Sequence, residues 1–186
     1  RGDDGKAERL RALGVEVLPL DLAEGPAVTA ALAGVDTLYH LAWKSHRMTQ
    51  NPAGMPVASP AEDNLEALGY LIDGAKSAAI RRFVFTSTVS VYGPEHAWGP
   101  TPQREDTPLP ALDGHPNPYF RFYAAAKAQA ERILKAACPP PDYVILRPAM
   151  VYGAGAQFAP KMVGDALSGR GAGPVPHAVQ WVHVDD

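Results

Sequence analysis

Two side chains four residues apart, Tyr123 and Lys127, are where residue types and spacing in this chain best suit chemistry. They sit in Tyr123-Ala-Ala-Ala-Lys127, followed by Ala128-Gln-Ala-Glu-Arg-Ile-Leu-Lys135 and stopped by Pro139-Pro140-Pro141. Alanine, Gln129, Glu131, Arg132 and Leu134 favour a helix and a proline run ends one, so the segment reads as one helix finishing near Ala137. On such a helix the phenol and the ammonium share a face, and a fixed positive charge beside a phenol favours its ionised form. A tyrosine so placed can act as acid or base near neutral pH. Taken alone, the same spacing more often reports a packed ring and a solvated lysine, so the rest of the chain must decide.

The elements that would position this pair come from an ordinary water-soluble composition. Of 186 residues, 46% are hydrophobic and 20% charged, enough for one sizeable core, and the net charge of -3 shows no basic excess suited to nucleic acid or an anionic membrane. No run approaches a spanning helix and Arg1-Gly-Asp-Asp-Gly-Lys6 does not resemble a secretory signal, so a cytoplasmic location is expected. The single cysteine, Cys138, excludes an intrachain disulfide and fits a reducing compartment.

Helical and extended segments alternate along the chain. Lys6 to Leu13 is helix-forming with Gly14 at its C-cap, and the β-branched stretch Val15 to Leu18 predicts a strand. Ala27 to Ala33, stopped by Gly34, predicts a short helix, and Asp36 to Ala42 a second strand. Trp43 to Pro60 reads as a polar excursion loop able to cover a site. Ser59, Pro60 and Glu62 form a capping box for a helix whose apolar face is Leu65, Leu68, Leu71, Ile72 and Ala75. Phe83 to Thr88 is apolar without alternation, as in a strand covered on both faces. Gly93 to Pro118 is irregular, Tyr143 to Leu146 is a further strand, Pro160 to Leu167 reads as helical and Trp181 to Val184 as a last strand. Such alternation predicts an α/β fold with a parallel sheet, whose ligands bind at the carboxyl ends of the strands.

The residues at those ends occur in a telling order: Asp21-Leu22, His40-Leu41-Ala42, Asn64, Phe85-Thr-Ser-Thr-Val-Ser-Val-Tyr-Gly93, Tyr123-x-x-x-Lys127, Leu146-Arg-Pro-Ala-Met-Val-Tyr-Gly153 and Val182-His-Val-Asp-Asp186. As an ordered set they closely resemble the extended short-chain dehydrogenase/reductases, the NAD-dependent epimerase/dehydratase group. The resemblance implies a Rossmann-like doubly wound sheet and a nicotinamide cofactor. Tyr123 would exchange a proton with a substrate hydroxyl or carbonyl, and Lys127 would bond the nicotinamide ribose and hold the tyrosine pKa down. Thr88, or failing it Ser87, would bond the reacting oxygen. Asp21 would touch the adenine amino group with Leu22 against the ring, while Leu41, Ala42, Asn64, Pro148 and Met150 would line the cofactor. Asp21 reads equally well as a strand-end turn residue, the alternative for Asn64 is an exposed polar position in the first helical turn, and His40 reads as a packed core histidine rather than a chemical group. His183, Asp185 and Asp186 read as helix-capping groups rather than metal ligands, and no metal is expected.

The chain also departs from that pattern. The family opens with a strand and a glycine-rich turn that receives the pyrophosphate; here only Gly153-Ala-Gly155 and Gly171-Ala-Gly173 contain G-x-G, and neither lies where that turn belongs. The reading therefore expects the central portion of a longer protein, a partial NAD(P)-binding domain without its first βαβ segment and with its substrate lobe cut short. Such a portion is expected to fold poorly alone and to bind dinucleotide weakly, with Val15 to Leu18 separated from its sheet. Met150 replaces the asparagine that nucleotide-sugar members carry, which favours a less polar carbonyl or alcohol substrate. Arg1 gives a slight lean to NADP over NAD. Family members are frequently dimers through helices equivalent to 61–79 and 120–137, which leaves a homodimer open. The leading reading is an NAD(P)-dependent oxidoreductase, epimerase or dehydratase; the alternative is a non-catalytic dinucleotide-sensing or interaction protein with the same fold.

Overall fold

Glycines and prolines set the first boundaries. In the computed structural model, which describes residues 4–44, 61–93, 103–117, 119–137, 141–152 and 181–183, helix α1 spans Asp4–Ala12. It closes where Gly14 takes a left-handed φ of 79°, letting Val15 N–H reach Leu10 O at 3.1 Å and Gly14 N–H reach Arg11 O at 2.9 Å. Helix α2, Gly25–Ala31, starts with Pro26 in its first turn, where a missing N–H costs nothing. Strand β1 is Thr37–His40, and helix α3, Ala61–Ser77, leads into strand β2, Arg82–Thr86. A 3₁₀ turn over Val89–Tyr92 follows. Helix α4, Ala125–Ala137, is entered through wide π-helical turns at Tyr119–Ala124, and strand β3 is Asp142–Leu146. Two short strands, β4 (Met150–Tyr152) and β5 (Trp181–His183), pair with each other.

All observed pairings are parallel. The main sheet has the order β1-β2-β3, with Thr37 opposite Arg82, His40 opposite Phe85 and Phe85 opposite Ile145. One face carries the core: Phe83 and Phe85 of β2 pack with Val28 and Leu32, with Leu68, Leu71, Ile72 and Ala75 of α3, and with Ala130 and Leu134 of α4. Helices α2 and α3 approach closely, since a Cβ on Gly25 would stand 2.6 Å from the Tyr70 ring and one on Gly74 2.9 Å from Leu32. No described helix is long and apolar enough to cross a membrane.

One expectation is corrected and another is met. Val15 to Leu18 forms no strand among the described residues, and Val15 and Leu18 are exposed. A strand exists only through hydrogen bonds to a neighbour, and among the described residues β1 pairs with β2 alone, so β-propensity in Val15 to Leu18 has no described partner to act on. The apolar run in β2 is indeed buried, but covering on both faces does not extend to its neighbours: Tyr39, Leu41, Val144 and Leu146 are exposed. The excursion loop, the capping box at Ser59 and Pro60, and the helix expected over Pro160 to Leu167 lie largely or wholly outside the described residues.

Candidate active site

Strand β2 delivers the site. Beyond Thr86 the ladder with β3 continues for three residues, Ser87 N–H donating to Leu146 O at 2.7 Å and Val89 N–H to Pro148 O at 3.2 Å. This extension holds the Thr86-Ser-Thr88 end straight; Thr88 stays extended at φ -162° and caps the 3₁₀ turn, accepting from Ser90 N–H at 3.3 Å. Helix α4 runs beside this end because its alanines, Ala126, Ala128 and Ala130, are buried against it. The continuous α-helix expected around Tyr123 is corrected: the backbone widens at Tyr119–Ala124, so Tyr123 lies in the π-helical entry and Lys127 in the α-helix proper. Aromatics crowd that entry, and the wide turns let Phe120 reach a separate small core with Leu112 and Ala125. Tyr123 is half-buried.

Lys127 is only 4% exposed. Its Nζ donates to Thr86 O at 2.7 Å and stands 3.8 Å from the centre of the Trp43 ring and 4.8 Å from that of Phe85. Burial drives its pKa from an ordinary 10.5 down to about 7, partly opposed by the Glu131 charge. His40 stacks on Phe85 at 5.6 Å and is likewise buried, its pKa falling from 6.5 to about 4 through desolvation and then the Lys127 charge. His40 is thus the core histidine the sequence suggested. The Trp43 ring is held from behind: the Asn64 side chain accepts from Lys44 N–H at 2.8 Å and donates to Lys44 O at 3.1 Å. Buried Asn64 is therefore a backbone clamp rather than an exposed polar position. Trp43 Nε1 and His40 Nε2 are both buried without a hydrogen-bond partner among the described residues. An unpaired buried donor costs about 1–3 kcal/mol, while a cation over an indole contributes about 0.5–2 kcal/mol. The two terms nearly cancel.

One turn further along α4 the chemistry reverses. Glu131 is fully buried and takes Ser87 Oγ–H at 2.6 Å, Arg147 Nε at 2.9 Å and Arg147 Nη2 at 2.6 Å. Arg147 also donates to the Tyr92 hydroxyl at 2.6 Å and to Glu105 O at 3.2 Å, and the Tyr92 hydroxyl donates to Arg104 O at 3.0 Å. The Glu131 hydrogen bonds push the Arg147 pKa further up. This network ties together the ends of β2 and β3, helix α4, the 3₁₀ turn and the 103–117 segment. Sequence reasoning passed over it, although Glu131 stands four residues past Lys127 and Arg147 closes a strand, both legible positions.

The remaining expected residues lie around this centre. Asp21 makes a turn, its carboxylate accepting from Ala23 N–H at 3.0 Å, and its charge reaches Lys44. Leu22 packs on the core, Leu41 and Ala42 are exposed beyond β1, and Met150 begins β4. The residues brought together are Lys127, Thr86 to Thr88, the strand-end residues Trp43 and Arg147, and the unforeseen Glu131.

Known proteins resemble this chain along most of its length. The chain matches the NAD dependent epimerase/dehydratase family over residues 1–186. It is 32% identical over 172 residues to the 2-alkyl-3-oxoalkanoate reductase of Stenotrophomonas maltophilia, a match covering 87% of this chain and 46% of that protein. It is 30% identical over 167 residues to the 4-hydroxy-2-methyl-3-oxo-4-farnesyl-3,4-dihydroquinoline-1-oxide ketoreductase of Stigmatella aurantiaca, covering 87% and 44%. Among solved structures, the dTDP-glucose 4,6-dehydratase DesIV of Streptomyces venezuelae with NAD and TYD bound superposes with a TM-score of 0.66 at 26% identity, over 95% of this chain and 55% of that one. The chain thus spans somewhat under half the length of these curated relatives. With its parallel sheet, its site at the strand ends and a match along its whole length, the chain belongs to the NAD-dependent epimerase/dehydratase family.

Proposed function

We propose that the protein carrying this chain is an NAD(H)-dependent oxidoreductase interconverting a less polar carbonyl and its alcohol, with Tyr123, Lys127 and Thr88 at the reacting oxygen. The observation that carries this reading is a buried lysine ammonium at the carboxyl end of a parallel sheet, beside a strand ending in hydroxyls and four residues along the helix from a tyrosine. Family membership supports a nicotinamide cofactor, and the relative solved with NAD supports NAD in particular. The lean to NADP rested on Arg1, which lies outside the described residues, and no finding favours it, so it is dropped. The two curated relatives are named as reductases of oxo compounds, in keeping with Met150 at a position where a thioether offers no strong hydrogen bond.

The donor set fits a nicotinamide riboside. An ammonium has three N–H groups, and Thr86 O takes the one hydrogen bond seen for Lys127 among the described residues, leaving donors for a ribose diol. Lys127 would hold that diol, with Asp21, Leu22, Leu41, Ala42, Asn64, Pro148 and Met150 as the further lining. When bound, the nicotinamide supplies or accepts the hydride. Tyr123 gives its phenolic proton to the carbonyl oxygen as the alcohol forms, or takes it back in reverse. Thr88 donates a hydrogen bond to the same oxygen. The Lys127 charge favours the phenolate, and since that charge is present below about 7 and lost above it, its help fades as pH rises through that value.

The test is NADH oxidation with a 3-oxoalkanoate-type carbonyl in the protein carrying the chain. Tyr123→Phe is expected to lower kcat by roughly 10²–10⁴ while leaving NADH binding in place. Undiminished turnover in Tyr123→Phe would sink the assignment. Tight NADH binding with no carbonyl turnover would instead favour the dinucleotide-sensing reading.

A further inference from the structure

The way Lys127 is buried goes beyond what the family reading requires. The ammonium meets a backbone carbonyl on one side and two aromatic faces on the others, the nearer being Trp43. With Lys127 at 4% exposure and the indole centre 3.8 Å from its Nζ, the ring is part of what closes the ammonium off. Trp43 is itself well fixed in backbone, between the end of β1 and the two-bond Asn64 clamp on Lys44, so ring motion rather than loop motion would uncover the lysine. The ring has reason to turn: its Nε1–H is buried with no acceptor among the described residues, a loss set against its contacts with the cation, Phe85 and His40.

We propose that Trp43 is a positioning residue that caps Lys127: its indole holds the ammonium against the Thr86 carbonyl and out of water, and a ligand reaches Lys127 only by displacing that ring. The proposal rests on the functional reading in one respect, that the ligand is the nicotinamide end of NAD(H). The charged and titratable groups around Lys127 are Glu131 on its own helix, Tyr123 four residues before it at the helix entry, His40 at the end of β1, and Arg147 behind Glu131. His40 also meets the Trp43 ring, at 6.5 Å between ring centres, so its imidazole is followed alongside, and a Lys127 shift without a matching His40 shift reports the cap. Displacing the ring removes the cation contact and frees the indole N–H for water, so opening sets one gain against one loss.

The experiment labels the lysine Cε carbons with ¹³C in the protein carrying the chain and follows them by NMR across pH, with Lys127→Arg identifying the resonance. In the parent the Lys127 signal titrates near 7. Trp43→Leu, smaller and without a π face, admits water and moves the midpoint upward by about one unit or more toward the ordinary lysine range. Trp43→Phe keeps an aromatic cover and stays close to the parent, which separates loss of the cap from loss of the fold. In NADH titrations at pH 8, Trp43→Leu binds several-fold more tightly than the parent, because the ring no longer has to be displaced and more of Lys127 is charged. An unmoved Lys127 midpoint in Trp43→Leu overturns the cap, as does NADH affinity that falls in Trp43→Leu while its Lys127 midpoint rises. If no variant binds NADH, the functional reading fails, and the lysine midpoint alone then judges whether Trp43 caps Lys127.

Discussion

Helix α4 presents two neighbouring turns to the same strand ends, and they treat a buried cation in opposite ways. At Lys127 the positive charge has one carbonyl and two aromatic faces, and burial pulls its pKa down to about 7. At Glu131 the guanidinium of Arg147 has a paired carboxylate, a phenol and a further carbonyl, and its pKa is driven up. Lys127 is the more buried of the two and has fewer acceptors, and both differences hold its pKa below that of Arg147. The Arg147 side is fixed over physiological pH and sets the frame. The Lys127 side is poised to change charge and is the side suited to chemistry.

The comparison breaks most severely at Arg147. Arg147→Met leaves the fully buried Glu131 carboxylate with Ser87 and a distant Lys135, and is expected to lower unfolding stability by about 3–5 kcal/mol in a urea melt at pH 7. Lys127→Met should act in the opposite direction. Between about 7 and 10.5 the unfolded chain holds a proton on Lys127 that the folded chain gives up, so stability contributed by this group rises with pH through that window. Removing the amine is therefore expected to stabilise the protein by roughly 2 kcal/mol near pH 6, after the Thr86 carbonyl loses its partner, with the gain vanishing toward pH 10. A uniform loss at both pH values would show that the aromatic contacts outweigh desolvation.

His40 sharpens the same contrast from the β1 side. Its folded pKa of about 4 lies below the ordinary 6.5, so the unfolded chain binds the extra proton and stability falls as pH drops from 6.5 to 4. His40→Phe should flatten that slope, improving stability at pH 4 by roughly 2 kcal/mol relative to its effect at pH 7. An unchanged slope would place the acid sensitivity on other groups.

Local signals were legible in the sequence and long-range ones were not. Gly14 and Gly34 ended their helices as read, because a left-handed φ is a property of one residue. Phe83 to Thr86, Thr37 to His40 and Tyr143 to Leu146 became strands because each found a parallel neighbour, whereas Val15 to Leu18, with the same propensity, found none among the described residues. The wide entry at Tyr119–Ala124 was missed because helix propensity does not distinguish four residues per turn from more. Tyr123 and Lys127 stood out by spacing, but Trp43, read as the start of a loop, meets Lys127 across 84 positions of chain, and the Ser87 to Glu131 bond spans 44. Contacts of that kind follow from topology, not from any window of sequence.

The smallest expected effect separates the two hydroxyls at the end of β2. Ser87 donates to a carboxylate that already has both Arg147 nitrogens, so Ser87→Ala removes one of several bonds and leaves no buried charge unpaired. A loss of about 1 kcal/mol in the urea melt is expected, with kcat for NADH-dependent carbonyl reduction nearly unchanged. Thr88 is different: among the described residues its Oγ1 meets Ser90, at 3.3 Å to both the amide and the hydroxyl, and the proposed function gives it the reacting oxygen. Thr88→Ala should therefore cost less stability than Ser87→Ala and far more turnover. If the order is reversed, with Ser87→Ala silencing the reaction and Thr88→Ala tolerated, the Glu131 network reaches into the chemistry. The division between a framing turn and a reacting turn of α4 then fails.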